Sequence, residues 1–117
     1  MKILISGAEG SGKTTLAKPL ANLLNATYIN KDSYKPELRG YIDGLVATGR
    51  TVIIDKKCSN DDIDYFDPNF IIYMDTVADK SVLPHRYDYH VSEWFNDTHE
   101  ILVDVIKKYM ERGYHNV

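Results

Sequence analysis

Short apolar runs alternate along the chain with segments of helical spacing. Lys2-Ile3-Leu4-Ile5-Ser6 is a run suited to a buried parallel strand, and Thr15 to Leu24 then carries apolar residues at helical spacing. Thr27-Tyr28-Ile29-Asn30 reads as a second strand. A helix is predicted from Lys35 to Thr48, with Leu38, Tyr41, Ile42, Leu45 and Val46 on one face and Gly49 as its stop. Thr51-Val52-Ile53-Ile54-Asp55 is the third strand, rich in β-branched residues. Asn60 to Phe66 is acidic and precedes Pro68, which predicts a short helix or a turn. Asn69 to Met74 forms the fourth strand, closed by Asp75, and Tyr87 to Val91 alternates as an edge strand would. A last helix is expected from about Asp97 to Arg112, with Ile101, Leu102, Val105, Ile106 and Tyr109 as its apolar stripe. Asp97 with Glu100 resembles a capping box, and Gly113 ends the helix. The alternation predicts an α/β fold: a doubly wound five-stranded parallel sheet flanked by helices, with ligands at the carboxyl ends of the strands.

The turn between the first strand and the first helix carries the chemistry. Gly7-Ala8-Glu9-Gly10-Ser11-Gly12-Lys13-Thr14 spells G-x-x-x-x-G-K-[ST], the phosphate-binding P-loop, in the strand–turn–helix setting that the motif requires. Gly7, Gly10 and Gly12 have no Cβ, so the backbone can approach an anion closely. The helix starting near Lys13 points unpaired N–H groups and its positive dipole end at the same place. Lys13 is expected to reach the β- and γ-phosphates, Thr14 to hold Mg²⁺ through its hydroxyl, and Thr15 to add a phosphate contact. These features predict a P-loop NTPase fold that binds a nucleoside triphosphate. Pro19 is out of place inside a helix and predicts a bend one turn after the loop.

Composition narrows the setting. At 117 residues the chain has room for a single domain. A net charge of −3 argues against nucleic acid as a partner. The lone Cys58 leaves no disulfide framework and no zinc cluster. Apolar runs of four or five residues are too short to cross a membrane, and the N-terminus enters a strand without a signal-peptide pattern. A cytoplasmic protein, monomeric or homodimeric, is expected.

Two acids help to choose a reaction. Asp55 closes the third strand in a Walker-B-like position, and Asp32 follows the second strand in Asn30-Lys31-Asp32-Ser33-Tyr34-Lys35. In the predicted sheet both face the crevice of Lys13, where a carboxylate accepts a hydroxyl proton or holds Mg²⁺. Turn and cap roles are the ordinary alternatives for each. Asn30-Lys31-Asp32 lacks the spacing of an N-K-x-D guanine-specificity loop, which leaves ATP as the expected nucleotide.

The P-loop, the segment Tyr28 to Lys35, the strand ending Ile72-Tyr73-Met74-Asp75-Thr76 and the stretch Pro84-His85-Arg86-Tyr87-Asp88-Tyr89-His90-Val91-Ser92-Glu93 together resemble adenylylsulfate kinases, most closely the reduced proteins of this kind carried by phages. That family has Asp-Gly-Asp-x-x-Arg after the second strand. Here Asn30 takes the first acid position, Asp32 keeps the second, and Lys35 stands for the arginine. Polynucleotide 5′-kinases have a similar acid there, acting as base, so both likenesses imply that role for Asp32. The resemblance implies a kinase that transfers the γ-phosphate of Mg-ATP to a small hydroxyl acceptor, with catalytic residues Lys13, Asp32 and Arg86. Full-length relatives carry an arginine-bearing lid between the fourth and fifth strands. Only Thr76 to Arg86 joins them here, with Lys80, His85 and Arg86, and Arg86 is the expected lid cation. Arg39 is a second candidate. A surface arginine lying over Tyr87 is the ordinary reading of Arg86.

Two other functions stay open: a nucleotide-binding or regulatory module with weak or lost catalysis, and a polynucleotide 5′-kinase-like enzyme. Trp94 or Phe95 follows the fifth strand, where P-loop kinases place the adenine, and either is a candidate for stacking on the base. Cys58 reads as an inert thiol. His85, His90, His99 and His115 have no metal spacing; only His85, in the lid segment, is a candidate. Asp61-Asp62-Ile63-Asp64 reads as a solvated helix start.

Overall fold

The structure is a computed structural model that describes residues 1–8, 10–29, 36–55, 60–77, 84–93 and 98–111. Strands β1 (Lys2–Gly7), β2 (Thr27–Ile29), β3 (Val52–Asp55), β4 (Phe70–Met74) and β5 (Tyr89–Val91) form one sheet in the order β2-β3-β1-β4-β5. Every pairing is parallel. Helices α1 (Lys13–Leu24), α2 (Pro36–Ala47), α3 (Asn60–Phe66) and α4 (Thr98–Glu111) connect or follow the strands. This is the P-loop α/β architecture expected from the sequence, and Asn60–Phe66 takes the helical of its two readings.

The three central strands are apolar on both faces because both are covered. On one face, Ile3, Ile5, Ile53 and Ile72 pack against Leu16 and Leu20 of α1 and Leu102 and Ile106 of α4. On the other, Leu4, Ile54 and Ile71 meet Ile42 of α2 and Ile63 and Phe66 of α3. The expected stripe on α4 is therefore anchored by Leu102 and Ile106, while Ile101 stays exposed.

Element ends follow local chemistry. Asn25 (φ 51°) and Gly49 (φ 90°) take the left-handed conformation that closes α1 and α2. β5 begins two residues later than its alternation predicts. There the Asp88 carboxylate accepts from the Ile71 N–H while the Asp88 N–H donates to the Ile71 carbonyl, both at 2.8 Å, closing the amino end of the ladder. Helix α1 is unbroken through Pro19. Pro19 has no N–H to donate to the carbonyl of Thr15, one turn earlier on the exposed side of the helix. Asp97 and Gly113, expected at the ends of α4, lie outside the described residues. Among the described residues, no helix is long and apolar enough to cross a membrane.

Candidate phosphate-binding site

The sheet order places the P-loop at the centre of the carboxyl rim. β1 lies between β3 and β4, and the chain leaves it in one direction for β2 and β3 and returns on the other side for β4 and β5. A crevice opens at such a reversal.

The loop leaves β1 at Gly7, against the end of β4. A Cβ on Gly7 would stand 2.7 Å from the Met74 carbonyl oxygen and 2.8 Å from the Ser11 hydroxyl, so no side chain fits. Gly10 (φ 77°) and Gly12 (φ 94°) supply the left-handed turns that lead into α1. Gly12 is the N-cap of α1 and no side-chain hydrogen bond caps the helix, so its first amides are not spent on a protein side chain. Three of the loop's carbonyls, by contrast, are engaged. Ala8 O accepts from the Ser11 N–H at 3.2 Å and from Lys13 Nζ at 2.8 Å, and Gly12 O accepts from the Leu16 N–H at 2.9 Å. Ser11 O accepts from Thr76 Oγ1 at 2.6 Å. The Ser11 hydroxyl is buried with no hydrogen-bond partner.

Asp55 is brought in by register, since Ile5 of β1 lies opposite it on β3. It is 2% exposed, and its Oδ2 accepts from Thr14 Oγ1 and from the Tyr28 hydroxyl, each at 2.7 Å. Two hydroxyl donors offset part of the cost of burying a carboxylate. The residues fit a magnesium nucleotide: a cradle that admits no Cβ, an unsatisfied buried hydroxyl within it, an ammonium folded over it, and a hydroxyl–carboxylate pair of the oxygen chemistry Mg²⁺ selects.

The structure thus brings together Gly7, Ala8, Gly10, Ser11, Gly12, Lys13, Thr14 and Asp55, with Thr15 exposed on the first turn of α1. Glu9 and Asp32 lie outside the described residues, as do Lys35, Cys58, Lys80, Trp94, Phe95 and His115. Arg86 requires a correction. Its guanidinium lies 3.5 Å from Pro68 O and 4.0 Å from the Asp67 carboxylate, both just before β4. That is the amino end of the sheet, a strand length (roughly 16 Å) from the loop. At that end of the sheet Arg86 is not a cation over the phosphate loop. His85 goes with it, 3.9 Å from Asp64 of α3. Arg39 is engaged by Asp43 at 3.5 Å and lies over the Tyr65 ring.

Tyr28 and Thr76 are the site residues that sequence reasoning missed. Both needed the strand order: Tyr28 pairs with Ile53, two residues before Asp55 on the same face, and Thr76 follows the end of the strand beside β1. Farther along the rim, a cavity of ≈ 230 Å³ is lined by Tyr89, Val91, Glu93, Thr98 and Ile101, at the end of β5 and the start of α4. His90 on β5 stacks on Tyr73 and meets Asp75 Oδ2 at 2.9 Å.

No protein-family model and no curated protein matches the chain. Solved structures do. A de novo designed P-loop fold protein superposes with a TM-score of 0.66 at 14% identity, covering 96% of this chain and 95% of its own. A sugar kinase from Janibacter sp. HTCC2649 gives 0.61 at 15% identity, covering 94% of each chain. The YorR protein from Bacillus subtilis, solved with phosphorylated GDP, gives 0.56 at 14% identity over 100% of this chain and 99% of that one. At these identities the likeness is one of architecture: the chain has the P-loop fold.

Proposed function

We propose that this protein is an ATP-dependent P-loop kinase that transfers the γ-phosphate of Mg-ATP to a hydroxyl acceptor. The observation that carries the reading is the hydrogen bond from Thr14 to the buried Asp55 beside an uncapped helix start. In that pairing Thr14 and Asp55 would hold Mg²⁺, which would supply positive charge to the phosphates. The amides of Gly10 to Thr14 cradle the phosphates and Lys13 supplies a positive charge to them. Asp32 is the base for the acceptor hydroxyl in this reading. The cavity at the end of β5 receives the nucleobase. The structural likeness to a sugar kinase agrees with a small hydroxyl acceptor, and the sequence resemblance puts adenylylsulfate first among the acceptors to try.

Calorimetry with Mg-ATP, followed by transfer from γ-labelled ATP to adenylylsulfate, sugars, nucleosides, nucleotides and oligonucleotides, tests the reading. Magnesium-dependent binding with label on an acceptor hydroxyl is expected, and Asp32→Asn should keep the binding and lose the transfer. No uptake of ATP would overturn the reading. A second reading, a nucleotide-binding module without catalysis, is favoured by the placement of Arg86 at the amino end, which removes the expected lid cation. Tight ATP binding with no transfer to any acceptor would select it.

A further inference from the structure

We infer that Thr76 is a positioning residue of the phosphate loop, acting through the peptide group between Ser11 and Gly12. The inference rests on the phosphate-binding reading above and adds a residue to it. Thr76 stands two residues beyond β4, and its neighbour Asp75 is tied to β5 by an N–H to Val91 O bond of 2.8 Å. From that anchored position Thr76 Oγ1 donates to Ser11 O at 2.6 Å.

A trans peptide is planar, with its C=O and N–H pointing in opposite directions. Holding the Ser11 carbonyl toward β4 therefore turns the Gly12 N–H away from β4, toward the inside of the loop. Among the described residues no other hydrogen bond to that peptide group fixes its plane. Gly12 is a glycine at φ 94° and imposes little torsional preference, and the Ser11 side chain makes no hydrogen bond. The carbonyls on either side are held by other means, Ala8 O by Lys13 and Ser11, and Gly12 O by the helix. The orientation of the Ser11–Gly12 peptide thus depends on a side chain that lies beyond the end of β4. A flipped peptide would present a carbonyl oxygen to the phosphate in place of a donor.

The test compares Thr76→Val, which keeps the shape and removes the donor, with Thr76→Ser, which keeps the hydroxyl. Calorimetry with Mg-ADP and Mg-ATP should show binding by T76V weakened roughly three- to tenfold, the range of one hydrogen bond. T76S should bind like the parent protein, and thermal midpoints should stay close. A shifted or broadened Gly12 amide resonance in nucleotide-free T76V, with the amides of β1 unchanged, is the signature a general loss of packing would not give. Unchanged affinity or an unchanged Gly12 resonance in T76V, or equal losses in T76S and T76V, would overturn the inference. If the parent protein binds neither nucleotide, the proposed function fails, and the Gly12 resonance still decides the role of Thr76. Should T76V not fold, Thr76→Ala against Thr76→Ser makes the same comparison.

Discussion

Single atoms set the tolerance of this site. At Gly7 the obstacle to a side chain is chiefly the Met74 carbonyl, a backbone atom inside the sheet that cannot swing aside. Gly7→Ala should destabilise the protein by about 1–3 kcal/mol, the usual range for overpacking, read as a lower midpoint in urea. Tyr28 behaves differently because its hydroxyl and the Thr14 hydroxyl share one oxygen of Asp55. Tyr28→Phe leaves that buried carboxylate with one donor fewer and should cost about 1–3 kcal/mol without metal, the penalty for an under-satisfied buried group. A bound divalent ion relieves the same deficit. The stability gained on adding Mg-ATP should therefore be larger in the variant than in the parent, which paired melting curves would show.

At the scale of elements, Pro19 offers a direct measurement. It is exposed on α1 and withholds a hydrogen bond from Thr15. Pro19→Ala should raise stability by up to about 3 kcal/mol, the propensity gap inside a helix, and an unchanged or lowered melting temperature would show that its ring makes compensating contacts. Strands, helices and loop were legible in the sequence because each has a short-range signature: an apolar run, a helical spacing, a glycine pattern. Asp55 was legible as a strand-end acid. Its partner Tyr28 was not, because their meeting depends on β2 lying beside β3, which no local pattern encodes. The same limit misplaced Arg86. Its position in the sequence between β4 and β5 says nothing of where the crossover comes down, and only the contacts with Pro68 and Asp67 place it at the amino end.

For the whole molecule, ligand and fold are linked. A nucleotide that binds only the folded protein should stabilise it by about 2.7 kcal/mol at a hundred times its dissociation constant. Lys13→Ala should remove most of that gain while leaving the ligand-free melting temperature nearly unchanged. The ammonium of Lys13 donates to the carbonyl of Ala8 in the loop, outside the apolar clusters that hold the sheet.

The two outermost strands, Thr27–Ile29 and Tyr89–Val91, are each three residues long. Borders so brief offer a stray chain too few rungs to extend the ladder. Concentrated native protein should consequently give no thioflavin-T signal, and fibrils, if they form, should appear only after the central strands have come apart.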